Sequence, residues 1–337
     1  MRKVVCVLSI ILMLSSGRLF ANDPYFSQFY NAPLILNPAL TGIAFGNIRI
    51  MTNYRNHLAS IDPFQTYSVG IDMSLFEKNE GGSFAGIGLV ATNDLAGSVQ
   101  KNLRAMFSLA YHKSIGSNKN NYLAIGFQGG IDQTDLNFTN LTTQSQWVPG
   151  SGVDRSLSNG ELISGDNQLL MDFQAGLLWY SFLNNGSTIF AGVSAFHLTE
   201  PNKSFTGIES KLSRRYVVHA GSRLSMSPNF NLVPNVVFMR QGSVNIIHSG
   251  VAFEYDKSVN NDYQVFSIGA WLRNTDAVIM SAGLEYKRFS FGLSYDLIIS
   301  NLSEVTQKGG FEISLAFNFK KSISKVNNLS SDPNPRL

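Results

Sequence analysis

The sequence is poor in cysteine, and its single cysteine falls in the first apolar run. A short basic start, the apolar run Val4–Leu14 and a more polar stretch ending at Ala21 predict a signal peptide over residues 1–21, cleaved after Ala21. The apolar run of about eleven residues is shorter than the roughly 20 that a helix needs to cross a bilayer. Because Cys6 leaves with this peptide, we expect the mature chain to lack disulfides, a cysteine nucleophile and cysteine metal ligands.

The mature chain also lacks an excess of either charge. The full sequence has 26 Lys and Arg residues against 23 Asp and Glu residues, and the excess corresponds to Arg2, Lys3 and Arg18 in the predicted signal peptide. A near-neutral chain does not supply the basic patch that phosphate binding needs, which argues against a nucleic-acid partner. Only 15% of the residues are charged, against about a quarter in an average soluble protein.

Long apolar runs are missing after the signal peptide, so no transmembrane helix is predicted. Glycine and aromatic residues are plentiful instead, with 29 Gly, 24 Phe and 12 Tyr. A secreted chain with little charge, no disulfide and no helical span favours a transmembrane β-barrel in the outer membrane of a Gram-negative bacterium.

Alternation of apolar and polar residues dominates the sequence from Asn47 to Phe319. In the last run, Phe311–Phe319, the odd-numbered positions hold aromatic and branched aliphatic residues, and the even-numbered positions hold Glu, Ser, Ala and Asn. Each run has about ten residues or more, as a tilted membrane strand requires. The sequence predicts fourteen antiparallel strands, which begin near Asn47, Phe64, Ser83, Ser98, Tyr122, Leu169, Thr188, Arg215, Asn231, Val244, Tyr263, Ala277, Phe289 and Gly310.

The connections between these runs alternate in length. Every second connection is a short turn rich in Gly, Asn, Pro or Lys, and the other set includes the long connections 139–168, 200–214 and 301–309. An even strand number with this asymmetry is typical of a barrel that has both termini in the periplasm and long loops outside. A soluble β-sandwich is the competing architecture, but it would turn its apolar residues inward and use strands of about five or six residues.

Two segments lie outside the alternation. Residues 22–46 contain three prolines and an aromatic cluster, which is too irregular for a strand. Irregular chain at membrane depth must be surrounded by protein or water, so we expect this segment either to plug the lumen from the periplasmic side or to form a periplasmic tail. Residues 320–337 are polar and contain two prolines, which predicts a flexible tail after a barrel of residues 47–319.

The polar positions of each alternating run predict which side chains line the lumen. These positions include His57, His112, His219 and His248 together with charged residues of both signs, whereas His197 ends its run at a position of the apolar set. No metal-ligand, phosphate-loop or nucleophile-elbow spacing is present, so we predict no catalytic, cofactor-binding or metal site and no enzymatic activity. Glycines inside the runs are expected to let lumen segments approach the wall. Aromatic residues near the run ends are expected to form interfacial girdles; these are Tyr111, Trp179, Tyr180, Tyr255, Tyr263, Trp271 and Tyr286.

Several short motifs follow one another along nearly the whole mature chain, including Asp23–Tyr30, Asn37–Gly42, Asn53–Asn56, His197–Phe205 and Glu312–Leu315. In this order they resemble the PorP/SprF family, outer-membrane components of the type IX secretion system in Bacteroidota. The resemblance assigns no individual roles to the positions that match its motifs. These are Asp23, Pro24, Ser27, Gln28, Asn37, Pro38, Ala39, Asn53, Tyr54, Arg55, His197, Pro201, Arg214, Arg215, Tyr216, His219, Tyr295, Asp296 and Glu312.

The resemblance implies a function in exporting or surface-attaching proteins that carry a type IX C-terminal signal, including adhesins used in gliding motility. The partners it implies are a periplasmic peptidoglycan-binding lipoprotein and a secreted adhesin cargo, with outer-membrane lipid around the barrel. The sequence leaves open whether the chain serves one adhesin or the general secretion machine. Two alternatives remain: a fatty-acid-transporter-like or porin-like channel for small solutes, and a passive barrel that anchors an adhesin.

Overall fold

Fourteen antiparallel strands form a closed barrel. The computed structural model describes residues 23–43, 47–57, 64–76, 82–116, 119–137, 143–158, 160, 167–205, 207, 209–258, 263–274, 276–300 and 309–320. The predicted signal peptide, residues 321–337 of the predicted tail and parts of several loops lie outside these ranges. The strands are β1 (Asn47–His57), β2 (Phe64–Leu75), β3 (Phe84–Ala96), β4 (Gln100–Ile115), β5 (Asn121–Leu136), β6 (Trp147–Val148), β7 (Gly152–Val153), β8 (Asn167–Phe182), β9 (Thr188–Phe196), β10 (Arg215–Ser227), β11 (Phe230–Gln241), β12 (Val244–Asp256), β13 (Gln264–Arg273), β14 (Ala277–Tyr286), β15 (Phe289–Ile298) and β16 (Gly310–Lys320).

Neighbours along the chain are neighbours in the barrel. Strand β5 pairs with β8, because β6 and β7 form a separate two-stranded hairpin within the connection between them. The barrel closes where β1 pairs with β16, with Tyr54 opposite Ile313. The predicted fourteen-stranded barrel is confirmed, and each predicted strand start lies within two residues of the observed start.

Strand β4 illustrates how the alternating sequence produces this barrel. Leu103, Phe107 and Leu109 are exposed on the outer face at 39%, 43% and 50%. Arg104 and Ser108, which lie between them, are buried inside. Soluble proteins seldom expose a continuous apolar surface of this kind, whereas a barrel in lipid turns such a band outward. The β-sandwich alternative is therefore excluded.

The two ends of the barrel differ in their connections. At one end, termed the loop end, lie the long connections 137–166 and 197–214. At the other end, termed the turn end, strands are joined by short turns such as 287–288. Strand β1 begins and β16 ends at the turn end, where Asn47 lies opposite Lys320. Since long loops of bacterial barrels face the exterior, we expect the loop end to lie outside the cell.

The predicted aromatic girdles are correct only in part. Tyr111, Trp179 and two other tyrosines of the predicted set, Tyr255 and Tyr286, are exposed on the outer face. The prediction was wrong for Tyr180 and Trp271, which are buried inside the barrel. Both residues occupy strand positions that alternate with the outward-facing ones, so both side chains point into the lumen. A position near the end of a strand does not change this direction.

The irregular N-terminal segment, residues 23–43, lies inside the barrel and supplies much of the core. It forms three short helical turns, at Phe29–Asn31, Pro33–Leu36 and Pro38–Leu40. Its apolar side chains, including Leu40 and Ile43, pack against lumen-facing residues of the wall. The hydrophobic core thus lies between this segment and the strands. Among the described residues, no helix is long and apolar enough to cross a membrane.

Candidate functional site in the barrel lumen

The N-terminal segment extends along the lumen from one end of the barrel to the other. Asp23 is bound by residues near the loop end of the wall, among them Arg215, the first residue of β10. Gly42 lies at the turn end, where its amide donates to Asp72 Oδ2 over 2.7 Å and its backbone lies against Gly86. The segment therefore spans the height of the lumen.

Three cationic side chains converge on the Asp23 carboxylate at the loop end. His197 Nε2 lies 2.5 Å from Oδ2, Arg215 Nη1 lies 3.4 Å from the same oxygen, and Arg104 Nη2 lies 3.3 Å from Oδ1. The Asp23 amide donates to Gln241 Oε1 over 2.9 Å. Although burial raises the pKa of this carboxyl, Arg104, His197 and Arg215 together hold it well below its usual value. Asp23 is therefore an ionised anchor of the N-terminal segment.

A second set of carboxylates orients these cations. His197 Nδ1 donates to Asp172 Oδ2 over 2.8 Å, and Arg104 Nη2 donates to Asp132 Oδ2 over 2.8 Å. The alternating pattern of the sequence predicted that the His197 side chain points to the outer face, and this prediction was wrong. His197 follows the last residue of β9 and has a φ of 56°, so the backbone leaves the strand geometry there and the side chain is buried.

A second anchor lies at the loop end on β16. The backbone amides of Ser27 and Gln28 donate to the two oxygens of Glu312, over 2.5 and 2.8 Å. The Ser27 hydroxyl donates to Asp296 Oδ2 over 2.7 Å. Arg55 Nη2 also reaches Asp296 Oδ2, at 3.2 Å. Because carboxylates accept strongly from backbone amides, this arrangement fixes the position of the segment's backbone.

Asn37 provides the third attachment, in the middle of the lumen. Its Oδ1 accepts from the Ala39 amide over 2.9 Å and so caps the turn at Pro38–Leu40. Its Nδ2 donates to the Leu177 carbonyl and to His219 Nε2, each over 3.0 Å. The wall approaches closely here because Gly176 has no side chain; a Cβ at that position would overlap the Asn37 amide.

At the turn end the segment is held by β4. The Thr41 hydroxyl lies 2.5 Å from the Ser108 hydroxyl, and His112 Nε2 donates to the Thr41 carbonyl over 2.9 Å. On the neighbouring strand a Cβ at Gly86 would overlap the Thr41 carbonyl. The expectation that wall glycines let lumen segments approach is met at these positions.

Most of the family-motif positions come together at these attachments, but some do not. Asn53 donates to the Asn31 carbonyl over 3.2 Å, and Pro24 lines a cavity beside the segment. Tyr216 and Tyr295 are exposed on the outer face, and the Tyr54 ring packs on Tyr67, another outward-facing residue, with 4.8 Å between the centroids.

Two further motif positions belong to the connection between β9 and β10. Pro201 accepts the Leu212 amide with its carbonyl over 2.9 Å, and Arg214 pairs with Glu200 at 3.2 Å. The motifs did not include Arg104, Asp132 or Asp172, although the alternating pattern already placed Arg104 and Asp132 at polar positions that face the lumen. The structure shows that Arg104 pairs with Asp23, Asp132 with Arg104, and Asp172 with His197.

The chemistry of the site is that of ion pairing and hydrogen bonding. Among the described residues, no cluster of His, Cys, Asp and Glu side chains has the geometry of a metal site. A small cavity with room for about one water molecule lies between the segment and the wall. Phe26, Leu34 and Met106 provide its apolar surface, and Arg104 and Arg215 provide positive charge.

Comparisons with known proteins agree with this architecture. A family model described as type IX secretion system membrane protein PorP/SprF matches residues 19–317. A comparison with curated proteins returns no match.

Two solved structures share the fold at low sequence identity. The Pseudomonas putida toluene transporter TodX is 11% identical, with a TM-score of 0.54, over 90% of this chain and 99% of that one. A Pseudomonas aeruginosa FadL homologue is 11% identical, with a TM-score of 0.50, over 91% of this chain and 96% of that one. At this identity the similarity concerns the fold alone.

Proposed function

This chain belongs to the PorP/SprF family of type IX secretion system membrane proteins, and from that premise we propose that it binds secreted or periplasmic partner proteins. The chain is an outer-membrane β-barrel. In the proposed function it binds a secreted adhesin, a periplasmic peptidoglycan-binding lipoprotein, or both, and thereby exports the adhesin or attaches it at the cell surface. It would act by binding and not by catalysis.

The observation that carries this proposal is the occupation of the lumen by residues 23–43. Attachments at Asp23, Ser27, Asn37 and Thr41 tie the segment to the wall along its length. A lumen occupied in this way favours contact with partners at the loops and turns over passage of a folded protein through the barrel. At the loop end, the β6–β7 hairpin exposes 60% of Trp147, and tryptophan is a frequent anchor in protein interfaces.

The proposal is tested by deleting the gene and following proteins that carry the type IX C-terminal signal. We expect these proteins to be unexported or unanchored, as measured by surface labelling and protease treatment of intact cells. Complementation with the wild-type chain should restore display. Complementation with a chain in which residues 147–153 are replaced by a Gly-Ser linker of equal length tests the loop end. Normal display in the deletion strain would contradict the proposal.

A channel for small solutes is the second candidate. A protein of similar fold is described as a toluene transporter. Planar-bilayer conductance separates the two functions. A channel would conduct in the wild-type chain, whereas a partner-binding barrel would conduct only after residues 22–46 are removed.

A further inference from the structure

The half of strand β8 that lies nearest the loop end is paired on one side only. Residues 167–174 lie beside β5 along their whole length, whereas pairing with β9 begins at Ala175, opposite Ala195. We infer that the free edge of residues 167–174 binds an extended segment of an extracellular partner protein, which joins the barrel sheet as a further strand. The inference rests on the proposed function and assigns the proposed partner binding to one strand edge.

The chain that follows β9 turns away from this edge. His197 and Glu200 have φ values of 56° and 45°, which lie outside the strand region and end the course of β9. Lys203 then lies over the lumen, where its Nζ is 3.3 Å from Asn102 Oδ1 and 3.7 Å from Asp132 Oδ1. This connection therefore crosses towards β4 and β5 and does not continue β9 beside β8.

The free edge carries backbone groups that can pair with an incoming strand. The Phe173 carbonyl accepts the Leu198 amide over 3.0 Å, so the backbone of Phe173 points to this edge. Every second residue of a strand directs its backbone to the same side, which places Met171 and Leu169 on the edge as well. Among the described residues, the amides of Leu169 and Met171 have no hydrogen-bond partner, and the Met171 carbonyl has only a contact of 3.5 Å with the Thr199 hydroxyl.

The side chains along this edge are apolar at a level where the neighbouring wall is polar. The outer face of β5 changes from Ile131 to Gln133 and Asp135, whose side chains are hydrogen-bonded over 3.1 Å. Polar and charged side chains on the outer face of a barrel lie beyond the hydrocarbon. Leu169 lies opposite Gln133 and is 62% exposed, and Met171, opposite Ile131, is 68% exposed. Exposed apolar side chains beside unpaired backbone groups are a template for strand addition.

The orientation of the barrel in the membrane excludes a second copy of this chain as a symmetric occupant. Two barrels inserted in the same direction are related by a two-fold axis along the membrane normal. Two β8 edges can pair antiparallel only about an axis perpendicular to the sheet, which lies in the membrane plane. They can pair in parallel only about an axis along the strand, which is tilted by about 35–45°. The occupant is therefore an extended segment of another protein, with β-branched or apolar residues beside Leu169 and Met171.

The test uses Met171→Pro in the full mature chain in detergent. Proline removes the amide donor at the free edge, and it takes no donor from the ladder with β5, because the Met171 amide points away from β5. The matched control is Met171→Thr, which keeps the amide at the same exposed position. The probe is the fluorescein-labelled peptide Thr-Val-Thr-Val-Thr-Val-Lys, and fluorescence anisotropy measures its binding.

We expect wild type and Met171→Thr to bind this peptide, and Met171→Pro to bind it about tenfold more weakly. A peptide with proline in place of the central valine should not bind, since it cannot pair as a strand. If Met171→Pro does not migrate as a folded barrel, Leu169→Lys with Met171→Lys replaces it, because charges along an edge disfavour strand addition; we expect a similar loss. No peptide binding to wild type, or equal affinity in the edge variant and Met171→Thr, would overturn the inference.

The same variants in cells separate this inference from the proposed function. In the deletion strain, Met171→Thr should restore surface display of proteins that carry the type IX C-terminal signal, and Met171→Pro should not. If deletion abolishes display and Met171→Pro restores it fully, the edge is not the partner site although the proposed function stands. If deletion leaves display unchanged, the proposed function fails, and the peptide titration alone decides whether the edge binds an extended strand.

Discussion

The Asn37 side chain joins the N-terminal segment to three strands of the wall. Its Nδ2 lies 3.0 Å from the Leu177 carbonyl of β8, 3.3 Å from the Val193 carbonyl of β9 and 3.0 Å from His219 of β10. The side chain is fully buried, so water cannot replace these partners. Asn37 therefore contributes, with the attachments at Asp23, Ser27 and Thr41, to fixing the height of the segment in the lumen.

We predict that Asn37→Ala lowers the stability of the folded protein. Each buried polar group left without a partner costs about 1–3 kcal/mol, and at least the Ala39 amide and His219 would lose one. Asn37→Asp should be at least as damaging, because it keeps the acceptor, loses the donors and buries a charge. The unfolding temperature is the temperature of heating at which the protein changes from the migration of the folded barrel to that of the unfolded chain on a denaturing gel. Asn167→Ala, at an exposed position of β8, serves as the control, and an equal effect there would refute the assigned contacts.

The Asp23 anchor predicts a pH dependence. Burial lowers the pKa of His197, but the charge of Asp23 and hydrogen bonds to Asp172 and Asp23 outweigh burial and the nearby Arg104, so its pKa is raised. A raised pKa stabilises the folded state below the unfolded value of about 6.5, and this stabilisation is lost as pH rises through the folded pKa. The lowered pKa of Asp23 stabilises the folded state at pH values above the pKa of Asp in the unfolded chain. This stabilisation is lost only in strong acid, as the pH falls through the pKa of Asp23 in the folded state.

The segment should therefore be held most firmly at mildly acidic pH and less firmly at alkaline pH. Protease sensitivity of residues 23–43, measured across this range, checks the prediction. In His197→Gln the alkaline loss should disappear, since the titrating group is gone. A wild-type chain whose segment is equally protected from mildly acidic to alkaline pH would contradict this role of His197.

At this scale, the sequence predicted side-chain direction but not side-chain partners. Alternation placed Arg55, Asp296 and Glu312 on the lumen side, and the structure finds all three buried there. It misplaced His197, because a single residue with positive φ breaks the rule that neighbouring side chains point to opposite faces. The partners of Asp23 lie 81 to 218 residues away, and no local pattern encodes such pairing.

Removal of the N-terminal segment should lower the stability of the barrel. Phe29, Leu34, Leu36, Leu40 and Ile43 are all buried between the segment and the wall. Burying one such side chain contributes about 1.5–3 kcal/mol. Without the segment, the apolar part of the lumen lining would face water.

We therefore predict that a chain lacking residues 23–43 still folds into a barrel but unfolds at a clearly lower temperature. Circular dichroism in detergent should show unchanged β-structure, and the thermal transition should shift down. Replacement of the hairpin residues 147–153 by a Gly-Ser linker is the control, because this hairpin lies outside the barrel sheet. If the two variants unfolded at the same temperature, the segment would not be part of the core.

Strands and segment differed in how far the sequence could predict them. A strand in a lipid-facing barrel must alternate along its whole length, so its existence and start are readable from local sequence. The segment obeys no period, since its backbone is held by side chains of the wall such as Glu312 and Gln128. Its irregularity was predictable, but its course from the loop end to the turn end was not.

For the whole molecule, the central claim is that an apolar outer wall encloses the chain's own N-terminal segment. The outer band is apolar because lipid surrounds it, and the interior is polar because the segment's backbone must find hydrogen-bond partners there. The same fourteen strands thus serve two different environments. The proposed partner binding at the loops depends on this arrangement.

Disulfide trapping tests this claim most directly. Cys6 is the single natural cysteine and lies in the predicted signal peptide, so cysteines can be introduced into a mature chain that has none. The Thr41 and Ser108 hydroxyl oxygens are 2.5 Å apart, close to the roughly 2.05 Å of a disulfide. After mild oxidation, Thr41→Cys with Ser108→Cys should lose both free thiols to maleimide labelling, whereas Thr41→Cys with Ala105→Cys, which faces outward on the same strand, should keep both. Two reactive thiols in the first pair would contradict a segment enclosed by the barrel.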